Sequence, residues 1–162
     1  MKHTVLLKVR NHAGVMAHVV GLFARRGYNI DSIAVGTREK PEESTITIIV
    51  DDEGNDQIIS QISNQLNKVV DVLSVKNFSY NESINRELAL ILVKCKPTEI
   101  GDILEIINVF NANVEDMTED TLLIDISDVS RKVRALIRTL ARKYEILEMA
   151  RTGEIALPYQ NL

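Results

Sequence analysis

Val5-Leu6-Leu7-Lys8-Val9, then Arg10-Asn11-His12-Ala13-Gly14, then Val15 form the stretch from which the fold can be read. The first five residues read as a strand and the next five carry turn chemistry. Val15, Val19, Leu22 and Phe23 then recur at helical spacing. Gly27 follows the last turn, where a left-handed residue commonly ends a helix. Further on, Tyr28 to Val35 is a second strand, Glu39 to Ser44 a charged loop with Pro41, and Thr45 to Val50 a third strand rich in β-branched residues. Asp51-Asp52-Glu53-Gly54 is a turn leading to Asn55 as a helix N-cap. Ile58, Ile59, Ile62, Leu66 and Val69 make one helix face, and Val70 to Val75 a fourth strand. The order is β-α-β-β-α-β.

After the polar stretch 77–85 the pattern begins again. Leu88 to Val93 is a strand, and Ile100, Ile103, Leu104, Ile107 and Phe110 form a helix face. Asn113 to Met117 and Leu122 to Ile126 are strands, Val133, Leu136, Ile137, Leu140 and Tyr144 a helix face, and Ile146 to Ala150 a last strand. A shift of 84 positions lays Val19 on Ile103, Val20 on Leu104, and Asn29-Ile30-Asp31 on Asn113-Val114-Glu115. Two copies of one supersecondary unit follow. The expected fold class is α+β, two ferredoxin-like βαββαβ domains in tandem, with residues 1–76 the first domain, 77–85 a linker and 86–162 the second.

In that topology the second strand, Tyr28 to Val35, is a sheet edge. Its apolar, Pro-free sequence is a liability if left bare, and pairing with a second copy of the chain removes the exposed edge. A homodimer is expected.

Composition narrows the chemistry. The 162 residues hold 19 Lys plus Arg and 23 Asp plus Glu, for a net charge of −4, with 45% hydrophobic residues. That is a globular composition, and it contains no apolar run long enough to cross a membrane as a helix. No Trp, 3 Phe and 4 Tyr disfavour aromatic platforms for single-stranded nucleic acid or sugars. The lone Cys95 excludes an internal disulfide and a thiolate zinc cluster, and as a small apolar residue just after a strand it is no candidate nucleophile. His3, His12 and His18 fall on a strand start, a loop and a helix, with no acidic partner at ligand spacing, so no metal site is expected. Asp51-Asp52 and Glu119-Asp120 occupy turn positions, where solvated carboxylates are the ordinary reading. No catalytic pair stands out, and a cytoplasmic location is the default.

Two features remain. The amides at the start of the first helix, around Gly14, form a ready site for a carboxylate or phosphate. A tight turn and cap alone also explain Asn11 and Gly14. The loop matches neither nucleotide-phosphate motif. Arg131, Arg134, Arg138 and Arg142 put four guanidinium groups along one stripe of the last helix. An ordinary solvated face opposite an apolar one explains most of that stripe, and the net acidity of the second half lowers the nucleic-acid reading.

Asn11-His12-Ala13-Gly14-Val15 and Val20 to Gly36, which includes Arg25-Arg26-Gly27-Tyr28-Asn29-Ile30-Asp31-Ser32, resemble the small, regulatory subunits of acetolactate synthase (acetohydroxyacid synthase). Leu66 to Val72, Arg86 to Leu90 and Ala150 to Gly153 extend the resemblance over essentially the whole chain. It implies that the first domain is an ACT domain that dimerises and binds an effector between two chains, usually valine. The implied effector residues are Asn11, Gly14, Val15, Met16, Asn29 and Ile30. The effector carboxylate sits on the amides near Gly14, Val15 and Met16, and its ammonium at Asn11 and backbone carbonyls. Asn29 reaches in from the second chain. The chain itself is then non-catalytic and binds no cofactor. It activates a large catalytic subunit that carries thiamine diphosphate, magnesium and FAD, and makes it sensitive to feedback by valine in branched-chain amino acid biosynthesis. The chain departs from the family pattern at Ala13, Met16 and His18, where many relatives have Pro, Leu and Arg. The alternative is a stand-alone amino-acid-sensing ACT regulator of another enzyme or of transcription. An acylphosphatase-like enzyme is a remote option raised by Arg10.

Overall fold

The computed structural model describes residues 2–51 and 57–160. The chain divides into two units, residues 1–84 with 154–162, and residues 85–153.

In the first unit β1 (Lys2–Arg10), α1 (Val15–Arg26), β2 (Ile30–Thr37), β3 (Glu43–Asp51), α2 (Gln57–Leu66) and β4 (Val72–Ser79) follow the expected order. The sheet runs β2-β3-β1-β4 with antiparallel pairs, which leaves β2 as an edge. Alternation along the strands sends Val5, Leu7, Val9, Ile46, Ile48 and Val50 to one face. There they meet Val15, Val19, Leu22 and Phe23 of α1 and Ile59, Ile62 and Leu66 of α2 in one core. The reverse face of the central strands is buried as well, at Thr4, Thr47 and Ile49. Gly27 ends α1 at φ 69°, with its N–H on the carbonyl of Ala24. The Asp52-Glu53-Gly54 turn and the Asn55 cap lie outside the described residues.

The first unit differs from the sequence reading at its end. β4 continues to Ser79 because Asn77, Phe78 and Ser79 pair with Val5, Thr4 and His3 of β1. Residues expected as a linker are therefore strand end, a 3-10 turn at Tyr80–Glu82, and the start of β5 (Ser83–Lys94). The strand β9 (Ile155–Pro158) was not foreseen. Its segment is tied into the first unit by polar contacts. The Glu154 N–H donates to Ser32 Oγ at 2.6 Å, the Tyr80 hydroxyl to Glu154 Oε2 at 2.6 Å, and the Tyr159 N–H to the Glu82 carbonyl at 3.1 Å.

The second unit repeats the plan with most of β5, α3 (Ile100–Phe110), β6 (Asn113–Met117), β7 (Thr121–Asp128), α4 (Ser130–Ala141) and β8 (Glu145–Arg151) in the order β6-β7-β5-β8. Ala89, Ile91, Val93, Ile103, Ile107, Leu122, Ile124, Ile126, Val133, Leu136 and Leu140 form its core. Leu104, read from spacing as part of the buried face, is 40% exposed, as its counterpart Val20 is at 37%. Both lie at the margin of a face centred on the preceding residue. Asn111, 84 positions after Gly27, closes α3 in the same left-handed conformation, at φ 53°. Asn is the residue besides Gly that visits this region most readily.

Candidate functional site

The β1–α1 loop is held from outside by backbone. Asn11 donates its N–H to the Glu42 carbonyl at 2.7 Å and its side-chain amide to the Pro41 carbonyl at 2.8 Å, while the Arg10 N–H reaches the Asp71 carbonyl at 2.9 Å. Gly14 then turns the chain into α1 at φ 91°, ψ −17°, a left-handed conformation that favours glycine, and no atom lies within 4 Å of where its Cβ would stand. α1 has no side-chain cap and no acidic residue in its first turn. The Val15 N–H turns back to the His12 carbonyl at 3.4 Å, while the amides of Met16 and Ala17 are among those a helix start leaves without a backbone partner, at the positive end of the helix dipole.

The second unit supplies an internal contrast. Shifted by 84 positions, Gly14 falls on Thr98, inside the 3-10 turn Pro97–Glu99. There the Glu99 carboxylate accepts the Lys96 N–H at 2.8 Å, and Asp102 lies in the first turn of α3. The second unit thus carries carboxylates of its own around its helix start, whereas α1 has none in its first turn.

Of the residues nominated from sequence, Asn11 and Gly14 are exposed on this loop, Val15 is buried in the core, and Met16 is half-buried against it. Ile30 also packs against the core, and Asn29 is exposed just before β2. One protomer does not bring the two groups together. Arg10 pairs with Glu43 at the start of β3, and Ile30 with Val50 near its end. Seven strand steps at about 3.3 Å separate the two ends by about 23 Å.

Asp71 is the residue the sequence did not reveal. Its carboxylate lies 2.7 Å from His12 Nε2 and 3.8 Å from His18 Nδ1. The Ala13 carbonyl is 3.0 Å from His12 Nδ1, so both ring nitrogens face acceptors, and an imidazole that donates to both is protonated. The Ala13 carbonyl first and the Asp71 carboxylate second raise the His12 pKa above its ordinary 6.5. The only signal for Asp71 in the sequence was its place at the turn into β4, which antiparallel pairing sets beside the end of β1. A hollow of about 500 Å³ opens beside this loop, lined by Arg10, Asn11, His12, Glu42, Glu43 and Leu73.

The remaining nominations stay structural. Cys95 is buried, and burial pushes its thiol pKa up, with Glu99 and Asp120 adding to the effect. Asp120 sits in an exposed turn, where it accepts from the Thr118 hydroxyl at 3.1 Å. Among the described residues no three His, Cys, Asp or Glu side chains converge as a metal site, and no helix is long and apolar enough to cross a membrane.

A ferredoxin-like unit with a glycine-led helix start, followed by a second such unit with carboxylates around the corresponding position, defines a tandem protein of the ACT-domain class. Residues 5–74 match the family model for the AHAS small subunit-like ACT domain, and residues 86–160 that for the small subunit of acetolactate synthase. The chain belongs to the acetolactate synthase small-subunit family. It is 43% identical to the "Probable acetolactate synthase small subunit" of Archaeoglobus fulgidus over 97% of this chain and 96% of that one. It is 41% identical to the acetolactate synthase small subunit of Bacillus subtilis over 96% and 90%. The crystal structure of the acetolactate synthase small subunit from Thermotoga maritima superposes with a TM-score of 0.91 at 36% identity, covering 100% of this chain and 99% of that one.

Proposed function

We propose that this chain is a non-catalytic regulatory subunit that activates the catalytic subunit of acetolactate synthase and makes it sensitive to valine. Thiamine diphosphate, magnesium and FAD then belong to the catalytic partner, and the pair works in the cytoplasm on branched-chain amino acid synthesis.

The observation that carries the effector site is the strand register. Thr37, at the end of β2, pairs with Ser44, and Ser44 with Val9, beside the Asn11 loop. If two copies pair antiparallel along their β2 edges, Asn29 of the second copy comes beside Thr37 of the first. It thereby reaches the sheet end that carries Asn11 and Gly14, from which its own copy keeps it about 23 Å away. A homodimer therefore assembles two sites, each with the loop of one copy and Asn29 of the other. The valine carboxylate docks on the amides of Gly14, Val15 and Met16, Asn11 takes the ammonium, and the apolar surroundings of Ile30 take the side chain.

Inhibition requires that valine stabilise a dimer conformation whose contacts with the catalytic subunit differ. The test is a titration of the purified chain into the catalytic subunit, with and without valine. The expected result is a rise in rate that valine reverses; an unchanged rate overturns the reading.

A further inference from the structure

The arginine stripe on α4 has no part in the effector site, and the structure sharpens it. Val133, Leu136 and Leu140 of α4 are buried in the second core, and Arg131, Arg134, Arg138 and Arg142 are all exposed. At 100° per residue the four span an arc of about 80° directly opposite the buried face, along about 16 Å of helix. Among the described residues none of the four has an ion pair. Lys132, which lies off the stripe, is the basic residue of this helix that is neutralised, by Asp128 at 2.7 Å.

We propose that this stripe is a docking surface for an acidic face of the catalytic subunit. The proposal rests on the regulatory reading above. Three properties favour a protein face. All four positions are Arg, although the chain has nearly as many Lys as Arg, and the planar guanidinium binds carboxylates in pairs and is less hydrated than an ammonium. All four guanidinium groups are exposed along one helix face, an extended arrangement that suits a partner surface better than a small phosphate. Residues 85–153 carry 10 basic and 12 acidic side chains, so the unit as a whole repels a nucleic-acid backbone while a local basic strip still meets an acidic protein patch.

The test uses the full chain with the catalytic subunit. In the double variant Arg134→Glu, Arg138→Glu, the chain concentration for half-maximal activation should rise about tenfold or more, and the gap should narrow as ionic strength is raised. Lys68→Glu, a charge reversal on the first unit, should leave that concentration unchanged. Valine binding to the variant alone should equal that of the wild type, which separates lost docking from misfolding. An unchanged half-maximal concentration, or salt-sensitive capture of RNA by the stripe with no effect on activation, overturns the proposal. Failure of the wild-type chain to activate would instead defeat the regulatory reading, and with it this surface.

Discussion

Nε2 of His12 lies 2.7 Å from Oδ1 of Asp71, across 59 positions of sequence, and ties the β1–α1 loop to the start of β4. The neighbouring Ala13 carbonyl raises the His12 pKa most, and Asp71 adds to it. A raised histidine pKa stabilises the fold fully below the ordinary 6.5 and loses that contribution as pH rises through the folded value. His12→Gln removes the titration while keeping an amide able to reach Asp71. Melting temperatures between about pH 6 and about pH 8.5 should show a wild-type advantage at the acidic end that shrinks towards the basic end. Parallel curves for the two proteins would sink the assignment.

Gly14 and Gly27 bound the same helix at φ 91° and 69°. Alanine at either position puts a side chain in the left-handed region and costs about 1–2 kcal/mol. The two differ in function. Gly14→Asp adds a negative charge where the valine carboxylate docks, so feedback sensitivity should vanish while activation of the catalytic subunit survives. Gly27→Ala should lower stability and leave sensitivity intact. Retained valine inhibition in Gly14→Asp removes the site from this loop.

The two-chain site makes a stricter demand. Gly14→Asp and Asn29→Ala each disable both sites of a pure dimer. In a mixed dimer, one site combines the altered loop with the altered Asn29, and the other combines two intact halves. Mixing the two insensitive proteins in equal amounts puts about half of the dimers in the mixed form, each with one intact site of its two, and should therefore restore about a quarter of the valine sites, measured by calorimetry. Sites built within one chain would give no recovery.

Both βαββαβ units were legible because the apolar periods switch cleanly between 2 and 3.6 and because the unit repeats after 84 residues. The loop residues Asn11 and Gly14 were legible from their local turn chemistry. Asp71 was not, because its contact with His12 depends on how β1 and β4 pair. The return of residues 154–158 was also hidden, since Ile155-Ala156-Leu157 is too short to carry a period. Leu104 was misplaced because spacing gives a face but not its width. Ile103 is fully buried, whereas Leu104 is 40% exposed. Ile103→Ala should thus cost about 2–5 kcal/mol, and Leu104→Ala under about 1. Equal losses in denaturant unfolding would show that Leu104 is buried after all.

Glu87 is 3% exposed and accepts a hydrogen bond from Nε of Arg151, which joins β5 to β8 at the sheet edge. The value of such a pair lies in its completeness. Glu87 is the buried charge, while Arg151 keeps about a third of its side chain in solvent, and removal of Arg151 leaves the carboxylate buried without compensation. Arg151→Met should therefore destabilise the second unit by about 3 kcal/mol or more. Adding Glu87→Gln to that variant removes the stranded charge and should recover a large part of the loss, whereas the same change in the wild type should be destabilising. Urea unfolding of the four proteins, followed by far-ultraviolet circular dichroism, gives the coupling directly. Additive losses would mean that Arg151 acts through its packed stem alone and that Glu87 is neutralised by another group.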